Sequence, residues 1–194
     1  MNPGGAARRV ATPALLTATL LSAPALLALH FKDGPPARVT GGFGEESCVS
    51  CHFGSPVNAS PGDLELTGFP ERYLPGATYE LELTLTRPPE LAAAGFQLAI
   101  RHSDGGKQAG TIEVPPGQQA RISLLDDRGI RFAHHRLVQA ATQENPATVT
   151  WELSWTAPTG DGRIVAHASA VAADGDDSQL GDLVYTVEAV AVPD

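Results

Sequence analysis

Thr148-Val149-Thr150-Trp151-Glu152-Leu153-Ser154-Trp155-Thr156 is the stretch from which the fold can be read. Val149, Trp151, Leu153 and Trp155 alternate with polar residues, and a period of two places them on one face of an extended strand. Tyr79 to Thr86 repeats the pattern, with Tyr79, Leu81, Leu83 and Leu85 on one side. Phe96, Leu98 and Ile100 form a third candidate, Arg163 to Ala172 a fourth, and Leu183, Tyr185, Val187 and Ala189 a fifth. Weaker runs lie at Asp63 to Thr67, Thr111 to Val114, Ala120 to Leu124 and Ile130 to Arg136. Turn residues punctuate them: Leu74-Pro75-Gly76, Arg87-Pro88-Pro89, Asp104-Gly105-Gly106, Pro115-Pro116-Gly117, Asp127-Arg128-Gly129 and Thr159-Gly160-Asp161-Gly162. Many short strands so separated predict an all-β sandwich of antiparallel sheets over residues 63–194. The one helix-like stretch is Pro89 to Ala94.

Composition agrees with that class. With 20 glycines and 16 prolines among 194 residues, turns are favoured over long helices. The 42% of hydrophobic residues is enough to build a core. The formal charge is −9, from 13 Lys and Arg against 22 Asp and Glu. Residues 1–30 hold Arg8 and Arg9 and no carboxylate, so the rest is more acidic still. Such a domain repels phosphate backbones, which argues against a nucleic-acid partner.

Residues 1–30 read as an export segment. Arg8 and Arg9 precede an uncharged apolar run from Val10 to Leu29, the pattern of a positive n-region followed by a hydrophobic stretch. Ala23, Ala25 and Ala28 supply small residues for cleavage, whereas the length of the run suits an uncleaved signal anchor. Both outcomes are open. Nothing beyond the arginine pair matches a twin-arginine signal. The expected location is the periplasmic or extracellular face, with residues 10–29 as a candidate tether to the cytoplasmic membrane.

Residues 31–62 have no sustained period, and they carry the chemistry. Cys48-Val49-Ser50-Cys51-His52 is C-x-x-C-H, the attachment signature of c-type haem. Two thiols at this spacing can reach both vinyl groups on one porphyrin edge, and His52 then lies beneath the iron as proximal ligand. Cys48 and Cys51 are the only cysteines, so no structural disulfide competes for them. Two other uses of the motif were weighed. A redox disulfide of thioredoxin type opens a helix in a βαβ context, which is not seen here. Zinc is the better competitor, held by both cysteines and one or two histidines. For a haem iron, the sixth position is not methionine, because Met1 is the sole methionine and lies on the export segment. His102, His134, His135 and His167 remain, along with another nitrogen ligand, water or an open site. His134 and His135 are adjacent, so on a strand at most one faces the haem.

Gly44 through His52, Tyr73-Leu74-Pro75-Gly76-Ala77-Thr78-Tyr79, Gly95-Phe96-Gln97-Leu98, Trp151 through Pro158 and Gly181 through Thr186 together resemble the bacterial choice-of-anchor V domain. That family is related to the reelin N-terminal (Reeler) domain. The resemblance spans roughly residues 40 to 190. It implies an immunoglobulin-like β-sandwich that is exported and tethered, and many members carry C-x-x-C-H at this place. They also tend to have a histidine placed as His135 is in Phe132-Ala133-His134-His135, which makes His135 the first choice for distal ligand and His134 the second. The sequence departs from the family pattern in lacking a C-terminal anchor, which favours retention of residues 10–29.

Two further features stand out in the sequence. Asp174-Gly175-Asp176-Asp177 with Asp182 is an acidic loop, but the twelfth position from Asp174 is Tyr185, so an EF-hand is excluded and a solvated turn is expected. Arg131 and Arg136 flank the histidine pair and are candidates for haem propionate contacts. No H-E-x-x-H, G-x-S-x-G, P-loop or dinucleotide fingerprint is present. The expectation is therefore a monohaem c-type cytochrome domain with one covalent haem c. It carries single electrons to a redox partner at the membrane surface, alone or as a subunit of a larger membrane complex, and is not an enzyme. The rivals are a cell-surface binding or adhesion module with zinc or a disulfide at C-x-x-C-H, and a haem enzyme or sensor with an open sixth site.

Overall fold

The computed structural model describes residues 1, 31, 33–87, 91–141, 145, 147–176 and 178–194. The candidate export segment, residues 10–29, lies outside the described residues, among which no helix is long and apolar enough to cross a membrane. Residues Phe31–Asp194 form one compact unit. Its strands are β1 (Asp63–Thr67), β2 (Arg72–Tyr73), β3 (Thr78–Thr86), β4 (Ala93–His102), β5 (Thr111–Glu113), β6 (Ile122–Asp127), β7 (Ile130–His135), β8 (Thr148–Thr156), β9 (Ile164–Ala173) and β10 (Leu183–Pro193).

These strands stack as a β-sandwich, the fold expected from the period-two runs. One sheet runs β1-β3-β8-β5 and the other β2-β10-β9-β4-β7-β6. The paired strands are antiparallel, apart from the short parallel contact of β2 with β10. β3 and β8 pair along their whole length, with Leu81 opposite Leu153, Leu83 opposite Trp151 and Leu85 opposite Val149. Those side chains are buried, while Glu80, Glu82 and Glu152 face solvent. Trp151 crosses the core to Phe96 of β4, ring centroids 4.6 Å apart, and so joins the two sheets. Trp155 packs on Phe69, Tyr73 and Tyr79, and its indole N–H donates to the Ala109 carbonyl at 2.9 Å.

The six-stranded sheet departs from simple alternation, because β4 and β9 are buried on both faces. Ala94, Phe96, Leu98 and Ile100 point into the sandwich, so the intervening Gly95, Gln97, Ala99 and Arg101 point outward. The leading segment covers that outer face and satisfies its polar groups. Gln97 accepts the Val39 N–H at 2.8 Å through its carbonyl oxygen and donates to the Pro36 carbonyl at 2.8 Å. Arg101 pairs with Glu45 at 2.6 Å, its guanidinium held over the rings of Phe43 and Phe132. Ser169 Oγ accepts the Cys48 N–H at 3.1 Å. Buried polar groups on a sheet face need such partners, and here the irregular segment supplies them.

The stretch expected to be helix-like is not helical where it is described: Leu91 and Ala92 are irregular and the rest is strand. Ala93 and Ala94 open β4, and Ala94 exchanges backbone hydrogen bonds with Gln139 at 2.6 and 2.9 Å. That cross-chain pairing overrides the local helix preference of the alanines. Residues 88–90 lie outside the described residues.

Candidate cofactor site

Cys48–Ser50 forms a single 3-10 turn, capped at its start by Ser47, and the His52 N–H bonds back to the Cys48 carbonyl at 2.9 Å. The turn lies on the outer face of the six-stranded sheet, where Cys48 packs on Val171 of β9 and Val184 of β10 with Val49 beside it. Cys48 and Cys51 are both unpaired thiols. Burial pushes the Cys48 thiol up to about 11; the Ser169 hydroxyl opposes this, and Cys51 adds to it.

His52 is oriented from a distant part of the chain. Its Nδ1 lies 2.6 Å from Asp182 Oδ2, and Asp182 is 1% exposed. With Nδ1–H donating to the carboxylate, Nε2 is left bare. A histidine bonded to a metal usually shows this arrangement, with its second ring nitrogen donating to a carboxylate or carbonyl. Backbone bonds hold the two partners in register: the Phe53 N–H donates to the Gln179 carbonyl at 2.9 Å, and the Gly181 N–H to the Phe53 carbonyl at 3.3 Å.

His135 belongs to the same surface. Val184 pairs with Val171, and Val171 with Gly95, so these three form a row across β10, β9 and β4. Cys48 sits over the first two, and the His135 imidazole lies over the third. A Cβ on Gly95 would come within 2.6 Å of that ring, so only glycine leaves room for it. Neighbouring strands are about 4.8 Å apart, which puts His135 within one or two strand spacings of the cysteine turn. Nδ1 of His135 accepts the Phe96 N–H at 3.1 Å, and Nε2 then donates to the Phe31 carbonyl at 3.3 Å. The Phe96 carbonyl, 3.3 Å from Nδ1, is placed to take a proton there in the other tautomer. Burial holds the His135 pKa below the ordinary value; the bonds to Phe96 and Phe31 oppose this, and His134 and His52 reinforce it.

Of the other candidates, His134 lies beside His135 on this face, their ring centroids 6.4 Å apart, whereas His102, Arg131 and Arg136 are not brought to it. His134 is buried beneath Gly34, its Nδ1 bonded to the His135 carbonyl at 2.7 Å. Its ring stands at 85° to that of His135. His167 contacts Glu188 at 3.3 Å and the edge of Phe43. His102 lies at the far end of β4 with Asp104, Lys107, Asp161 and Arg163. Arg131 is forked onto Asp126 with two contacts of 2.9 Å, four residues along β7 from His135, or about 13 Å of strand. It is committed to its β-hairpin neighbour and does not face the motif. Arg136 is exposed and reaches the Gln119 carbonyl at 3.5 Å, toward the β6 edge.

The donor set is chemically suited to a covalently held haem. Two free thiols, an imidazole with Nε2 bare and Nδ1 anchored, and a second imidazole share one apolar-floored face. Among the described residues no three His, Cys, Asp or Glu side chains are grouped to hold a metal ion, so a preformed tetrahedral zinc site is not present there. Haem iron takes only one protein ligand on each side of the macrocycle, so such a cluster is not what it requires. Asp182 and Gly95 were not singled out as parts of the site by the sequence. Asp182 was read into the acidic loop, and the absence of a side chain at Gly95 has no local signature.

No protein-family model matches the sequence, and no curated protein does. Among solved structures the chain is similar to the reeler domain of human F-spondin, at 17% identity and a TM-score of 0.48, over 73% of this chain and 95% of that one. A second structure, of the Reelin-N domain of F-spondin, gives 17% and 0.48 over 76% and 95%. A cohesin module from a Clostridium perfringens family 33 glycoside hydrolase gives 11% and 0.45 over 70% and 100%.

Proposed function

We propose that this chain is an exported monohaem c-type cytochrome domain whose work is one-electron transfer. The observation that carries the reading is the bond of 2.6 Å between His52 Nδ1 and buried Asp182, beside two unpaired cysteines. When bound, the haem supplies a one-electron iron couple whose potential the protein tunes. Cys48 and Cys51 would hold it through thioethers, and His52 would be the proximal ligand through Nε2. His135 would be the distal ligand. For that role Nδ1 would carry the ring proton and donate it to the Phe96 carbonyl, and the bonds from the Phe96 N–H and to the Phe31 carbonyl would both be given up. The resemblance to choice-of-anchor V domains points the same way, with residues 10–29 as cleaved signal or retained tether.

Electron transfer asks that the site be reachable from outside. The His52 side chain is 30% exposed, and Phe53 and Leu180, bridged to each other beside it, are exposed apolar residues. They offer an apolar contact for a redox partner at the membrane surface, and the chain's net charge of −9 favours a basic one. The test is a pyridine haemochrome spectrum of protein made in cells that mature c-type cytochromes. A c-type α band that stays with the polypeptide through acid–acetone extraction is expected. A colourless polypeptide overturns the reading and leaves a surface binding module.

A further inference from the structure

Asp182 differs from the carboxylates around it in where it points. Among the described residues of the loop between β9 and β10, Asp174, Asp176 and Ser178 bond to the loop's own backbone. Asp174 Oδ1 accepts the Asp176 N–H at 3.1 Å, Asp176 Oδ1 accepts the Ser178 N–H at 2.7 Å, and Ser178 Oγ accepts the Leu180 N–H at 3.0 Å. These successive local turns shape the loop and give Asp174, Asp176 and Ser178 backbone partners within it. Among the described carboxylates of this loop, Asp182 is the buried one. Its Oδ1 accepts the Asp174 N–H at 3.3 Å, and its Oδ2 takes His52 Nδ1–H at 2.6 Å. The second distance is well below the usual 2.9 Å of a neutral N–H···O bond and belongs to the charge-assisted class.

We propose that Asp182 is a positioning residue that makes His52 a stronger iron ligand and so favours the ferric state of the bound haem. The inference rests on the haem reading. A carboxylate accepting Nδ1–H draws that proton toward itself and leaves more electron density on Nε2, the atom that faces the metal. A ligand enriched in this way stabilises the more positive iron, and outer hydrogen bonds are among the means by which proteins set haem potentials. Burial strengthens the effect, because Asp182 is 1% exposed and its charge is little screened. A structural clip alone would need the hydrogen bond and not the charge.

Replacement by the isosteric neutral amide separates the two roles. In the haem-loaded full chain, D182N should raise the midpoint potential, shifting the ferric-to-ferrous equilibrium constant by about fivefold, with haem content and far-UV circular dichroism unchanged. D182A should shift it in the same direction. A D182N protein that keeps its haem and its potential overturns the inference and leaves the haem reading standing; a wild-type chain without covalent haem overturns both. If D182N fails to fold, H135A leaves Asp182 in place and frees the sixth position. The ferrous iron–His52 stretching band should then lie at the higher frequency of carboxylate-bonded imidazoles. A band at the lower frequency of carbonyl-bonded imidazoles overturns the inference.

Discussion

Removing the Glu45 carboxylate tests how the leading segment is held to the sheet. Arg101 is 3% exposed and Glu45 7%, and their contact is 2.6 Å. Glu45 also receives Arg38 at 3.0 Å and the Thr40 hydroxyl at 3.1 Å. The Arg101 guanidinium is enclosed by Phe43 and Phe132, and its Nε has no hydrogen-bond partner. Glu45→Ala therefore leaves a buried cation without its one close counter-charge among the described residues. Breaking a buried pair from one side costs about 3–5 kcal/mol. At about 2–4 °C per kcal/mol for a domain of this size, the melting temperature should fall by roughly 6–20 °C. The Glu45→Leu/Arg101→Met double variant replaces both charges with apolar groups and should recover most of the loss, since such replacement is often neutral. Urea unfolding of the wild type, Glu45→Leu, Arg101→Met and the double variant closes a mutant cycle. A loss below about 1 kcal/mol for Glu45→Ala, the range of an exposed pair, would refute the reasoning.

In the haem-free chain at pH 8, Cys48 should resist iodoacetamide while Cys51 is alkylated; with its thiol near 11, Cys48 is about 0.1% thiolate, against about a quarter for an ordinary cysteine. Mass spectrometry of tryptic peptides after timed labelling gives both rates, and equal rates would contradict the burial of Cys48. Gly95→Ala should push the His135 ring from its seat and cost about 1–3 kcal/mol, as overpacking does. In the haem-loaded protein it should also convert a low-spin spectrum into a high-spin one, and an unchanged spectrum would remove His135 from the iron. Burial lowers the pKa of both His134 and His135, so the unfolded chain binds more protons than the folded one once the pH drops below about 6.5. Haem-free stability should thus be fully present above that value. It should be lost as the pH falls toward the folded values, by at most about 1.4 kcal/mol per pH unit for each group. Urea midpoints at pH 7.5 and 5.5 measure the loss, and Gln substituted for His134 should reduce it.

The strands that alternation marked most clearly, β3, β8, β9 and β10, lie where their patterns placed them, because a period of two is a local property of an extended chain. β2 escaped notice, since two residues carry no period, and Ala93–Ala94 were misread because alanine favours helix unless a neighbouring strand claims its backbone. Alternation sets Val165, His167 and Ser169 together on one side of β9, a composition that would suit solvent. The leading segment covers that face instead, and polar residues there are read correctly only once Glu45, Val39 and Cys48 are seen opposite them.

The sequence by itself determined the sandwich and the local chemistry of Cys48, Cys51 and His52, because strand sidedness and a five-residue motif are set by near neighbours. Tertiary structure decided the rest. It brought Asp182 to His52 across 130 positions of chain, set His135 rather than His134 over Gly95, and tied Arg131 to Asp126. The physical reason is strand order and register: which residues meet across β10, β9, β4 and β7 depends on how whole strands pair, and no local pattern records that.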